Sequence, residues 1–492
     1  AEWAAYVADT PFAFRDSALA TLVDYYLDGI VKQHIFGKYP DTGVLNRSNS
    51  RPRTFIPAGT KIARNLLAAT NYRAEELRQV IALRETSAKP TASFARFYWQ
   101  TEHFVFQRPD WYASVRMHSV RNANMEVPYN EEGFKNHHRG DGANHLHLRG
   151  DEYLNVWPVY DYQKIPGTTV LQKDTLYPEE VQRYGTTTFA GAVTDGHYGA
   201  VGYDFISPHD GTKARKAWFF FDDEYLCLGA GIESRDRHQS VITTLDQRLR
   251  RGPITVTNKA GTRVLAAETS FDEPTTWIHH DGTGYHFLGA EPRIQLAAIS
   301  RTGRWTDINH QWDSPREPVT KDIFQLWLDH GPRPHGRPGG LNHADMRPQD
   351  VKYAYEVVPN VEAEEMTTRK PSVRVLANNR WLQAVTHAGL GLTQVIAYRG
   401  GSVELDGRTK LTLDGPGALL LQRNQDGSLR KITVADPGRR LDRLHFSVSG
   451  HYDGAGEGYT ARYETTEDRT YFSVELPKGE FAGSSVVLQL PN

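Results

Sequence analysis

Apolar positions in roughly the first ninety residues recur at helical spacing: Leu19, Leu22, Val23, Tyr26, Leu27 and Ile30 share one face, and Leu77, Val80 and Ile81 another. The pattern predicts helices over this stretch. They are separated by RSNSRPRTFIPAGT, whose Ser, Pro and Gly punctuation reads as an irregular loop. Loops of this kind often line sites. After about residue 93 the period drops to two. ASVRMHSVR, TWIHHDGTGYHF, VKYAYEVV, GSVELDGRTKLTLDGPGALLLQ and SSVVLQL alternate apolar and polar positions, broken by turns at Asp406-Gly407, Asp414-Gly415 and Asp426-Gly427. A long all-β region follows from this pattern, and the strand spacing favours a large antiparallel sandwich over a barrel. The run DHGPRPHGRPGGLNHADMRPQD, from 329 to 350, predicts a long loop between strands, and TTRKPS marks a second seam before a new series of short hairpins.

A chain of 492 residues exceeds one ordinary domain and can bury a sizeable core. Aromatic residues make up 11%, with 10 Trp, 24 Tyr and 20 Phe, and flat rings suit sugar faces as well as cores. The formal charge of −2 excludes a general nucleic-acid binder, which needs a basic excess. An anionic ligand must therefore be met by local arginines. The single cysteine, Cys227, sits in KAWFFFDDEYLCLGAGI and reads as a small buried hydrophobe, so no intrachain disulfide forms. No apolar run is long enough to span a membrane. The first residue is Ala1, with no signal-peptide pattern behind it, so the chain reads as a processed or truncated product.

Four candidate clusters stand out. His145 and His147 alternate and share a strand face, a spacing that can chelate a metal, but no third ligand is evident and the reading favoured here is sheet-face residues. His137 and His138, if extended, point to opposite faces. The two RGD triplets, 139 to 141 and 149 to 151, read as charged turns. NRSNSRPR places Arg47 and Arg51 in a loop after a helical region, where two guanidiniums can grip a carboxylate or sulfate, the alternative being a solvated basic loop. MEVPYNEEG gathers Glu126, Glu131 and Glu132 around Asn130, able to orient arginines or sugar hydroxyls, or simply an acidic surface loop. Nucleophile-elbow, zincin, P-loop and dinucleotide signatures are absent from the sequence.

DGANHLHLRGDEYLNVWPVYDYQKIPGTTV, FAGAVTDGHYGAVGYDF, KAWFFFDDEYLCLGAGI, FQLWLDHG and EFAGSSVVLQL, in that order, resemble polysaccharide lyase family 8, the hyaluronate, chondroitin and xanthan lyases, and look most like its chondroitin AC branch. The resemblance implies an α+β multidomain chain: a C-terminal remnant of an α/α toroid over 1–92, a large antiparallel β-supersandwich over 93–371, and a smaller C-terminal β-sandwich over 372–492. It implies β-elimination at a 1,4 linkage to a uronic acid, with an anionic polysaccharide as substrate, no nucleic acid or membrane partner, a monomer, and a secreted or periplasmic bacterial location. NRSNSR resembles the family's Gly-Arg-x-x-Ser-Arg motif, with Asn46 in place of Gly, which makes Arg47 and Arg51 catalytic candidates. The family's Glu and Asn pattern falls on Glu126 as a third catalytic candidate and on Asn130 and Glu132 as substrate contacts, with Glu131 an alternative to Glu132. The family's proton-transfer Asn, His and Tyr have no matching positions, so the chain alone is expected to be inactive. A non-catalytic glycan-binding protein on the same scaffold is the rival reading, and a paired-carboxylate glycosidase a more distant one. Some branch members hold calcium around the Ile165-Pro166-Gly167 turn. Asp161 is the one matching acid here, with Gln163, Gln172 and Lys173 at the other positions and Asp174 one residue out of register, so no cofactor is expected and Asp161 is the lone calcium candidate.

Overall fold

A computed structural model describes residues 1–86, 89–266, 269–289, 292–334, 350–452, 454 and 456–490. Most of the loop expected between 329 and 350 lies outside these residues. The amphipathic stripe from Leu19 to Ile30 forms one continuous helical run, α-helical over Asp16–Asp24 and widened to a π-helix over Tyr25–Ile30. It buries Val23, Tyr26 and Leu27 against Ala63 and Leu66 of the helix Lys61–Ala69 and Leu77 and Val80 of the helix Ala74–Glu85.

The period-two region folds as antiparallel sheets. Phe94–Tyr98, His103–Gln107, Tyr112–Arg116 and Ala143–His147 form a four-stranded meander, followed by a nine-stranded and a five-stranded sheet. These three sheets share one core, in which Phe104 and Phe106 meet Phe220 at ring separations of 5.0 and 5.2 Å. Burying one such ring removes on the order of 200 Å² of apolar surface, or about 5 kcal/mol before entropy is charged.

Alternation explains the unbroken apolar run KAWFFF. In the strand Lys213–Phe220, Trp218 and Phe220 point into this core, while Phe219 and, just past the strand, Phe221 point the other way. There they pack on Val385, Ile396 and Leu420 of a six-stranded sheet belonging to a C-terminal sandwich. A strand buried on both faces has no polar face to show. That sandwich closes its own core between the six-stranded sheet and a second five-stranded one, with Phe446 and Phe472 stacked at 4.9 Å. Cys227 is buried as expected, and burial pushes its thiol up to about 12.

Candidate active site

The strand HFVFQ splits its side chains between two surfaces: Phe104 and Phe106 enter the shared core, while His103 and Val105 face the chain that runs on from the first helical stretch. That chain is fixed there by Asp41, which is fully buried. One carboxylate oxygen lies 2.8 Å from His103 Nε2 and accepts from the Tyr112 hydroxyl at 3.1 Å. The other accepts from Ser114 at 3.0 Å and from the Gly43 backbone at 3.0 Å. Burial alone would raise the Asp41 pKa, but the hydrogen bonds from His103 and Gly43 and the neighbouring histidines outweigh it and hold the carboxyl well below its usual range. Gly43 is required by close approach, since an added Cβ would fall 2.4 Å from His103 Cε1. Two arginines complete the anchor, the half-buried Arg116 donating to Gly43 O and the buried Arg139 to Thr42 O, each at 2.5 Å.

From this anchor the chain makes a 3₁₀ turn, Arg47–Ser50. Glu126 Oε1 accepts from the Arg47 backbone N at 3.0 Å and lies 3.3 Å from its Nε, so one carboxylate both caps the turn and steers the guanidinium. Inside the turn, Asn49 and Asn136 exchange side-chain amide bonds at 3.1 and 3.0 Å. Arg51 then pairs bidentately with Glu132, Nε to Oε1 at 2.6 Å and Nη2 to Oε2 at 2.8 Å. Glu132 is 2% exposed and Arg51 52%, so a buried carboxylate carries a guanidinium out to solvent. The bond to Glu132 raises the Arg51 pKa, so its charge is permanent. Asn309 braces the pair, its amide 3.4 Å from Glu132 Oε1 and 3.3 Å from Ser50 O.

Asn130 and Glu131 occupy the left-handed region, at φ 54° and 58°, and both are exposed. Glu131 O accepts from His310 N at 2.8 Å, and the Gln311 amide donates to Asn130 O. This sews two loops into a rim that presents Tyr129 and Trp312, 69% and 90% exposed. The Arg47 guanidinium lies 5.8 Å from the Tyr129 ring centre, and its Nη1 is buried without a hydrogen-bond partner among the described residues.

The structure thus draws Arg47, Arg51, Glu126 and Glu132 into one constellation and sets Asn130 on its rim. It also separates the two glutamates: Glu132 is buried and holds Arg51, while Glu131 is exposed. Asp41, Asn309, Tyr129 and Trp312 carry no local sequence signal. Asn309 is 177 residues from the glutamate it braces.

The histidine expectations change in part. His145 and His147 do share a face, each edge-on to the Tyr153 ring at 5.1 Å. Among the described residues no group of three or more His, Cys, Asp or Glu is placed to hold a metal. His137 and His138 lie in a turn rather than a strand, so both meet His209, each at 5.5 Å. The first RGD is a charged turn as expected, but a buried one: Arg139 and Asp141 are 3% and 0% exposed, and Arg139 lies over the Trp157 ring at 4.7 Å.

The residues around Ile165 do not fit calcium. Lys164 Nζ sits 2.9 Å from Asp161 Oδ2 and 3.3 Å from Gln172 Oε1. Gln163 is spent on the Lys173 backbone, donating to its O and accepting from its N at 2.7 Å each. Asp174 turns away to Gln239 at 3.2 Å. An ammonium occupies the oxygens a hard cation would need, and the local charge opposes a second cation.

Residues 93–370 match the model described as "Polysaccharide lyase family 8, super-sandwich domain", and residues 374–445 match the family's C-terminal beta-sandwich domain. The chain belongs to polysaccharide lyase family 8. It is 32% identical over 498 residues to Chondroitinase-AC of Pedobacter heparinus, covering 98% of this chain and 65% of that protein. It is also 32% identical over 352 residues to the hyaluronate lyase of Thermasporomyces composti, covering 70% and 42%. A solved chondroitinase AC lyase, from a study of its oligosaccharide complexes, superposes with a TM-score of 0.84 at 31% identity over 99% of this chain and 68% of that one. The chain thus spans about two thirds or less of these relatives' lengths.

Proposed function

We propose that this chain forms the β-sheet wall of the cleft in a lyase that cleaves chondroitin- or hyaluronan-type polysaccharide by β-elimination. The observation that carries the reading is the pair of carboxylate-steered guanidiniums, Arg47 on Glu126 and Arg51 on Glu132, with Arg47 Nη1 buried and unpartnered. The proton to be removed, on C5 of the uronate, is α to a carboxylate, so its loss adds charge to a group already anionic. Fixed donors at the oxygens where that charge develops lower the barrier, each by about 3 kcal/mol. A guanidinium also meets a carboxylate or sulfate along two parallel bonds. Glu126 and Glu132 hold the two arginines in place before substrate arrives, and Tyr129, Asn130 and Trp312 line the sugar's path along the rim.

In this reading the Asn, His and Tyr that move the proton stand on helices outside this span. Trp3 and Tyr25, 70 and 64% exposed, line one apolar recess with Phe14 and Leu22, which offers a face on which such a helical segment packs. The assembled enzyme acts as a secreted or periplasmic monomer. Calorimetry with chondroitin and hyaluronan oligosaccharides tests the proposal. The chain should bind one of them, and Arg51→Ala and Arg47→Ala should each weaken binding about tenfold, the worth of one charge-assisted pair near 1.4 kcal/mol. Absence of binding, or binding indifferent to both arginines, would overturn it. Ultraviolet absorbance of the unsaturated uronate should stay flat with this chain alone; vigorous turnover would return the proton transfer to residues within it.

A further inference from the structure

Where the C-terminal sandwich meets the larger sandwich, two loops enclose a small recess of about 180 Å³, lined among others by Asp436, Arg439, Arg440, Lys478, Gly483 and Ser484. We propose that this recess is a binding site for a compact oxyanion, a sulfate or phosphate group, received by Arg439. The site lies apart from the arginine–glutamate constellation and does not depend on the reading given to it.

Arg439 is half-buried, and its Nε and Nη2 are shielded from solvent with no hydrogen-bond partner among the described residues. Buried guanidinium donors are seldom left open, because an unmade bond there forfeits the full desolvation cost. The nearby carboxylates hold other partners, with Glu102 Oε2 alone among them buried and unpartnered among the described residues. Asp436 accepts from the backbone N of Gly438, Arg440 and Leu441 at 2.7, 2.6 and 2.8 Å. Glu102 is paired with Arg121 at 2.6 Å, and Asp442 with Lys478 at 2.9 Å. Burial and the neighbouring Arg121 charge together lower the Arg439 pKa to about 10, which still leaves it a cation at neutral pH.

The backbone is shaped to hold this side chain. Arg439 adopts φ 54°, a left-handed conformation unusual for a residue with a Cβ. Gly483, at φ 94°, makes room for it: an added Cβ would lie 2.8 Å from Arg439 Nε. Both bounding loops are pinned to the larger sandwich, through Arg121 Nη1 to Gly438 O at 3.3 Å, Trp99 Nε1 to Glu480 O at 2.7 Å and Thr194 N to Ser485 Oγ at 2.9 Å. The volume is below that of ordinary small-molecule pockets, which begin near ~300 Å³, and suits a single tetrahedral group. Arg440 at the mouth adds positive charge, while Lys478 is neutralised by Asp442. An occupant would bridge the two loops of the C-terminal sandwich that are pinned to the larger one.

The test is calorimetric titration of the whole chain with sodium sulfate, sodium phosphate and a chondroitin sulfate disaccharide at constant ionic strength, with melting curves alongside. Sulfate raises the melting temperature of most proteins by exclusion from their surfaces, so the comparison is with Arg439→Gln. The wild-type chain should bind saturably, and Arg439→Gln should bind at least about tenfold more weakly. Tight binding of inorganic sulfate and phosphate identifies a free-ion site; binding of the disaccharide alone identifies a sulfate ester of the polysaccharide. Because Arg439→Gln removes an unpaired buried charge, it should melt no lower than wild type in chloride. Should it fail to fold, Ser484→Glu provides the second variant, filling the recess with a carboxylate and abolishing the binding. Absence of saturable binding by all three anions, or equal binding by wild type and variants, would overturn the proposal and leave Arg439 hydrated by water.

Discussion

Replacing Asp41 by Asn tests whether one buried carboxylate holds the arginine turn in place. The substitution keeps the side chain's size but removes its charge and turns one acceptor into a donor. Asp41 accepts from Tyr112, Ser114 and Gly43 and lies 2.8 Å from His103 Nε2. Hydrogen bonds to a charged group contribute ~1.5–3 kcal/mol each, partly offset by the cost of burying the charge. An Asn side chain can still serve Ser114 and Gly43 through its oxygen, but sets an amide against His103 and Tyr112. The expected loss is about 3 kcal/mol. With a denaturant slope near ~3 kcal/mol per M for a domain of this size, the urea midpoint of the first transition should fall by about 1 M. The Asp41 carboxyl is held below its usual range, so its contribution is complete above the unfolded-state pKa near ~3.9 and is lost only as pH falls further. The gap between wild type and variant should therefore be constant from about pH 5 to 8 and narrow only in stronger acid. The turn Arg47–Ser50 hangs from this anchor, so oligosaccharide affinity should drop with it. A loss below about 1 kcal/mol would show that Arg116 and Arg139 hold the chain without Asp41 and would refute the argument.

The other expectations are narrower. Glu132→Gln should leave the fold's melting within a few degrees yet loosen Arg51, and should cost about tenfold in glycan affinity; wild-type affinity would mean that Arg51 needs no buried partner. Chelation of divalent ions should not move the melting temperature, because Lys164 already bridges Asp161 and Gln172; Lys164→Met should lower it. His209 and His330 are pushed down to about 4, chiefly by burial, whereas an unfolded histidine titrates near ~6.5. The unfolded chain then binds more protons between these values, so the melting temperature should decline as pH falls from about 6.5 to about 4, before carboxylates such as Asp28, held at about 2, begin to matter. A melting temperature flat across that window would contradict their burial. Gly43→Ala, in the anchor segment Thr42–Val44, should lower the melting temperature, because the added Cβ meets the His103 ring at 2.4 Å.

Periodicity was enough for the broad architecture. The helical stripe from Leu19 to Ile30 and the alternating hairpins lie where the pattern puts them, because amphipathic burial is a local signal. KAWFFF falls inside the predicted all-β region, but why it lacks a polar face was illegible, since that depends on a second sandwich closing over it. Arg47, Arg51 and the MEVPYNEEG glutamates stood out through local spacing and family likeness. Which glutamate holds which arginine did not, because the pairs join residues 79 and 81 positions apart. His137 and His138 misled because opposite faces presume a strand. The first RGD is a turn as read from the sequence, and only its burial was not legible, since Arg139 trades water for two backbone carbonyls and a tryptophan face.

Phe219 and Phe221 share the underside of the nine-stranded sheet with Leu226 and Leu228, and the C-terminal sandwich is the only cover that side chain cluster has among the described residues. The seam that composition suggests near 370 is therefore a joint in the chain and not in the material. A protein cut there would carry a bare aromatic sheet face into solution and stick to its own kind. For that face to stay dry, the two sandwiches have to be present on one chain and close on each other as they fold.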